Sequence, residues 1–74
     1  EVDWVIEKEG AYIPIEVKYT EVPKEKDIRH LKIFLTEYKN TKMGYVVCRA
    51  QRRLKLAENI LAISWQELLE ILKG

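Results

Sequence analysis

Apolar and polar residues alternate with a period of two at the start of the chain. In EVDWVIEKEGAYIPIEVKYT, Val2, Trp4 and Ile6 fall on one side of an extended strand, and Glu1, Asp3 and Val5 on the other. A second run of this kind puts Ile13, Ile15, Val17 and Tyr19 on one side, with Pro14, Glu16 and Lys18 opposite. Glu9-Gly10 between the runs reads as a tight turn, so the pattern predicts a β-hairpin. With that turn, Lys8 pairs with Ala11, Ile6 with Ile13, Trp4 with Ile15, and Asp3 with Glu16. One hairpin face is then apolar, and a slip by one residue would mix the faces, so the register is well specified. The same register sets two carboxylates side by side, a like-charge pair that is normally destabilising. Something should compensate, and a metal ion with Lys18 beside it is one candidate.

Downstream, Thr20-Glu21-Val22-Pro23 reads as a connection, with Pro23 disfavouring helix at Val22. From about Lys24 to Lys39 the apolar period becomes helical. Ile28, Leu31, Phe34, Leu35 and Tyr38 form a stripe, Lys26, Arg29, Lys32 and Glu37 lie away from it, and Glu25 and Arg29 make a favourable pair one turn apart. Asn40-Thr41 ends the helix. The run MGYVVCR, Met43 to Arg49, predicts an interior strand covered on both faces. Helix followed by strand predicts a right-handed crossover, with this strand parallel to the second hairpin strand. Gln51-Arg52-Arg53 reads as an exposed turn, Leu54 to Leu56 as a brief edge strand, and Ile60 to Ile63 as a buried strand. Ser64-Trp65-Gln66-Glu67 has the capping-box pattern. Ser64 should therefore cap a last helix that buries Trp65, Leu68, Leu69 and Leu72. The expectation is an α/β domain with a mixed sheet of about four to five strands, a crossover helix and a C-terminal helix.

Composition narrows the classes. Seventy-four residues, 47% hydrophobic and 34% charged, suit one globular domain and exclude a disordered or fibrous chain. No apolar run approaches the roughly 20 residues that span a bilayer. The single cysteine, Cys48, cannot form an internal disulfide, which fits a reducing cytoplasm. A net charge of +1 argues against a dedicated non-specific nucleic-acid binder. Asp3 falls in what reads as mid-sheet, which suggests a domain cut from a longer chain.

The charged residues of the hairpin suggest a chemistry. Hydrolysing a phosphodiester at neutral pH calls for a cation on the phosphoryl oxygens and an activated water. Asp3 and Glu16, on adjacent strands, are suitable oxygen ligands for Mg2+, or Mn2+, and the backbone carbonyl of Val17 could complete the set. Lys18, one pleat beyond Glu16, would point at the same site, to act on the attacking water or to stabilise developing negative charge. Glu-x-Lys alone is a weak signal, since both residues alternate on many solvated sheet faces. The cross-strand position of Asp3 is what singles it out.

These residues resemble a known family. Asp3, then Glu16-Val17-Lys18 after a hairpin, then an amphipathic helix and a buried strand, are similar to the PD-(D/E)XK nuclease core. More closely, EVDWVIEKEGAYIPIEVKYT with DIRHLKIFLTEYKN, GYVVCR and ILAISW resembles the C-terminal nuclease-like domain of archaeal and bacterial AAA-type ATPases. The resemblance implies a restriction-endonuclease-like fold, a metal-dependent activity on DNA phosphodiesters, and an ATPase domain in the parent chain, with Asp3, Glu16 and Lys18 at the family's metal and catalytic positions. Two departures stand out: Val2 replaces the usual proline, and the first helix of the nuclease core is missing. That loss is expected to bare one sheet face, which invites homodimer formation.

The remaining candidates have blander readings. Glu1 would face Lys18, although a terminal glutamate more often frays in solvent. His30 is expected to be an exposed bystander opposite the apolar stripe, and Cys48 a core residue. Arg49, Arg52, Arg53 and Lys55 form a basic run, a weak candidate for phosphate contact and more simply a solvated turn. Trp4 and Trp65 are expected in core or interface rather than stacked on bases. The alternative function is a non-catalytic docking or structural module with a degenerate nuclease fold.

Overall fold

The computed structural model describes residues 2–74. Glu1, expected opposite Lys18, lies outside the described residues. The first two strands, β1 (Trp4–Lys8) and β2 (Ala11–Val17), form the predicted antiparallel hairpin in the predicted register, Trp4 opposite Ile15 and Ile6 opposite Ile13. Glu9 and Gly10 both adopt positive φ, 54° and 82°, as a two-residue hairpin turn with matching twist requires. A 3-10 turn (Glu25–Ile28) leads into α1 (Arg29–Glu37); β3 (Gly44–Val47), β4 (Leu54–Ala57), β5 (Ile60–Ile63) and α2 (Trp65–Lys73) follow. The sheet has five strands in the order β1-β2-β3-β5-β4. Its centre is parallel, β2 to β3 and β3 to β5, and its two edge strands are antiparallel to their neighbours. This is a mixed α/β architecture, as the alternation of strand and helix patterns predicts.

One helix packs on each sheet face. Ile28 and Leu31 close over Val46, Cys48, Ile60 and Ala62, while Leu68 of α2, with Ile71 and Leu72 beside it, packs on Ile15, Tyr45, Val47 and Ile63. Every residue of β3 is buried, as expected for a central strand flanked by helices. Cys48 is a free, buried thiol in this core. No helix among the described residues is long and apolar enough to cross a membrane.

Several expectations are corrected by packing. The crossover helix does not begin as α-helix at Lys24. The Lys24 N–H donates to Asp27 Oδ2 at 2.8 Å and the Asp27 N–H donates to the Lys24 carbonyl at 2.8 Å, so the chain enters by a tighter 3-10 turn. The change of pitch turns Glu25 toward Lys32 (2.5 Å) rather than Arg29. The helix stops at Glu37, and Tyr38 is extended, stacked on Phe34 with ring centroids 4.4 Å apart. In α2 the inward stripe is Leu68, buried, with Ile71 and Leu72 partly buried beside it. Leu69 is 56% exposed and Trp65 43% exposed, because the helix sits on the sheet by its Leu68 side. Ser64 caps as predicted, accepting from the Glu67 N–H at 3.2 Å, while the Glu67 carboxylate turns away to Arg53. Neither face is bare as expected, since each carries one helix, and Trp4 and Val5 on the β1 edge stay about half exposed.

These assignments give a paired test. Leu31→Ala, at a fully buried position, should cost about 2–5 kcal/mol of unfolding free energy in a urea titration. Leu69→Ala should stay within about 0.5 kcal/mol.

Candidate functional site

The carboxyl end of β2 is where Asp3, Glu16, Val17 and Lys18 meet. The ladder between β1 and β2 ends at Trp4 and Ile15. Beyond it, side chains continue the pairing: the Val17 N–H donates to Asp3 Oδ2 at 2.8 Å, and the Asp3 N–H donates to Glu16 Oε1 at 3.0 Å. On the other side of β2, the Lys18 N–H donates to the Val47 carbonyl at 3.0 Å. The alternation of a parallel ladder then directs the Val17 backbone groups, carbonyl included, toward the Asp3 side. The structure thus brings together Asp3, Glu16 and the Val17 peptide.

Carrying the Val17 bond on the Asp3 side chain also explains a misplaced neighbour. Val2 was expected on the Trp4 and Ile6 face, but the chain bends at Asp3 and regular alternation stops there. Val2 packs instead on the α1 side, against the core built around Leu31 and Val46.

Glu16 is not on a wet face. It is 5% exposed beneath α1, while Asp3 remains open to solvent. Burial pushes the Glu16 carboxyl above its ordinary value, and the neighbouring Asp3 carboxylate pushes the same way. The Asp3 N–H and the Lys18 ammonium pull it down, with less effect. Lys18 therefore acts on Glu16 as the expected neighbouring cation, while burial and like charge prevail.

His30 is the residue the sequence reading missed. Its Nδ1 lies 3.8 Å from Glu16 Oε2, and its ring is half exposed. It lies off the Ile28 and Leu31 stripe, as expected, but the covering helix starts directly above Glu16. That crossing point is a tertiary fact, with no local signal beyond the helix being short. His30 also edges an apolar groove of about 440 Å3 between α1 and the N-terminal segment, lined in part by Val2, Val5, Ile33 and Tyr38.

The basic run divides. Arg53 is committed to Glu67, with Nε 2.6 Å from Oε2, whereas Arg49 and Arg52 are exposed. Arg49 is held by its N–H, which donates to the Thr20 carbonyl at 2.9 Å. That bond places Arg49 across from Lys18 and Tyr19 in a separate hollow of about 300 Å3. Trp65 lines the same hollow and packs at a tilt against Trp4, ring centroids 5.8 Å apart, so the two tryptophans form a half-exposed edge pair and are not core.

Two carboxylates, each with one oxygen taken by a backbone N–H, suit a hard divalent cation that keeps most of its water. Among the described residues, no three His, Cys, Asp or Glu side chains come together so as to hold a metal ion by themselves. Asp3 and Glu16 are the two side chains here that could serve a divalent ion, and water would have to complete its shell.

Residues 1–68 match the family described as "Domain of unknown function (DUF4143)". The chain belongs to that family. No curated protein and no solved structure matches it. The family description assigns no activity, so what this DUF4143 domain does must be argued from the site itself.

The raised carboxyl has a measurable consequence for stability. A glutamic acid whose pKa is higher folded than unfolded binds more protons in the native state, so stability falls as pH rises from the ordinary value of 4.5 toward the folded one. Glu16→Gln keeps an acceptor for the Asp3 N–H and removes the charge. Thermal melts should show this variant more stable than wild type at pH 7, with the advantage fading below pH 4.5.

Proposed function

We propose that this domain hydrolyses DNA phosphodiesters with Mg2+ or Mn2+, as a module of a chain that also carries an AAA-type ATPase. One observation carries the reading: Asp3 and Glu16 are held side by side at the end of β2, Glu16 by the Asp3 N–H and Asp3 by the Val17 N–H, at a cost that burial raises. A like-charge pair maintained in this way is explained by a cation that both carboxylates serve.

In this reading Asp3 and Glu16 would hold the ion, with the Val17 carbonyl on the same side of β2. When bound, the cation supplies charge neutralisation at the phosphoryl oxygens and a lowered pKa for water. Glu16, fixed by the Asp3 N–H and covered by α1, keeps one wall of the site rigid and dry. Asp3, exposed, faces incoming substrate. Lys18 offers an ammonium to negative charge developing on the phosphate and can orient the attacking water. The small net charge of +1 supplies little general attraction for DNA, so positioning would depend on local contacts and on the rest of the parent chain.

A second reading is favoured by a specific observation. The two bonds give each carboxylate a backbone N–H donor without an ion, and the apolar groove beside α1 suits packing against another domain. In that case the fold serves as a docking module and the carboxylates are remnants.

Cleavage of DNA by the purified protein should require Mg2+ or Mn2+, and Asp3→Asn, Glu16→Gln and Lys18→Ala should each lower the rate by roughly 100-fold or more. Calorimetry should show divalent-ion binding that Asp3→Asn and Glu16→Gln weaken. Absence of such binding in the wild-type protein sinks the catalytic reading and leaves the docking module.

A further inference from the structure

The hollow beside the carboxylates has a composition that the metal site does not explain. It lies at the carboxyl ends of β2 and β3, beside the chain leaving β5 for α2, where open α/β sheets place ligand sites. Its volume, about 300 Å3, is at the lower end of the range for small-ligand pockets, roughly 300–1,000 Å3. Val47 and Cys48 line it from the sheet, and Trp65 and Tyr19 are its aromatic walls. Lys18 and Arg49 bring the positive charge.

The walls are fixed by backbone bonds that run on past the strand ends. The Lys18 N–H reaches the Val47 carbonyl, the Cys48 N–H reaches the Ile63 carbonyl at 2.9 Å, and the Arg49 N–H reaches the Thr20 carbonyl. Trp65 is held from its other side by Trp4. Two large aromatic side chains are left with much of their surface in water, Tyr19 at 88% and Trp65 at 43% exposure, beside two cations whose charge is not neutralised by an ion pair among the described residues. An apolar slot with aromatic walls and cations at its rim matches one ligand chemistry closely: a flat heteroaromatic ring attached to a phosphate.

We propose that this hollow binds one unpaired nucleotide of a single-stranded DNA segment, with its base against Trp65 and Tyr19 and its phosphate on Lys18 and Arg49. The proposal rests on the nuclease reading for the choice of a nucleic acid and adds the form of the substrate. Val17 and Lys18 line the hollow, and the Val17 N–H is the donor that holds the Asp3 carboxylate, so the two places adjoin along β2. A base seated here therefore delivers the adjoining phosphodiester to Asp3 and Glu16. A fully stacked duplex has no free base face to offer the slot, so the preferred substrate is a single strand, a frayed end or a flap.

Binding can be read separately from cleavage by working in EDTA. A fluorescently labelled oligothymidylate is titrated with the protein and followed by anisotropy, beside a blunt duplex, a strand of the same length carrying abasic sites, and an RNA strand. The thymidylate strand should bind at least about tenfold more tightly than the abasic strand, as loss of one base stack implies. Trp65→Ala and Tyr19→Ala should each weaken binding about tenfold. Tyr19 is almost fully exposed, so its variant keeps the fold, which circular dichroism checks. Arg49→Gln should lower the salt dependence by about one phosphate contact. Equal binding of the abasic strand or of the duplex, or indifference to both aromatic substitutions, overturns the proposal. An RNA strand binding about tenfold tighter than DNA overturns the assignment to DNA. Strand binding in EDTA without any metal-dependent cleavage would remove the nuclease reading while leaving this site; cleavage without strand preference would do the reverse.

Discussion

The register of the first hairpin is the constraint from which the rest follows. A two-residue turn with both φ values positive allows one pairing that keeps Trp4, Ile6, Ile13 and Ile15 on a common face. Once that face packs on α2, the opposite residues of β2 have no freedom left. Pro14 and Glu16 must lie under α1, and Asp3 must arrive beside Glu16. The acidic pair is therefore a by-product of apolar packing, and the energetic penalty falls on Glu16, the member that α1 covers.

The way the chain meets that penalty shapes the local structure. Asp3 leaves the ladder and uses its side chain to bond the Val17 N–H, while Glu16 uses its own to bond the Asp3 N–H. Each bond from a carboxylate to a peptide N–H is stronger than the neutral bond it replaces. The exchange also frees Val2 from the strand pattern and sends it to the α1 side. One local solution to a charge problem thus fixes the entry of the chain and part of the apolar groove, and seals the end of the β1–β2 ladder.

Beyond the hairpin, three parallel central strands end together and create a rim where Lys18, Arg49 and Trp65 converge. The geometry of the rim is held by hydrogen bonds between backbone groups, so it does not depend on the identities of the side chains it carries. Those identities can then serve a ligand. Arg53, one loop further, is instead tied to Glu67 of α2 and serves the fold. Residues that look alike in a basic run are divided by what stands across from them.

Much of this was legible in the residues alone. The period-two runs specified the hairpin and its register, the apolar run at Gly44–Val47 specified a central strand, and Ser64 with Glu67 specified the start of α2. These are local patterns, because strand alternation and helix capping act over a few residues. The same counting brought Asp3 beside Glu16. What local pattern could not reach was decided by how whole elements cross. The position of α1 over the end of β2 buried Glu16 and set His30 beside it, where counting had given a carboxylate facing Asp3 and a bystander. The tilt of α2 left Trp65 and Leu69 in solvent, although their spacing reads as core. The bond from Arg49 to Thr20 set one arginine of a basic run into a hollow. The sequence determined which faces are apolar and in what register they pair; the tertiary structure decided what each face meets, because burial, charge repulsion and cavity shape are properties of several segments packed together and of none of them singly.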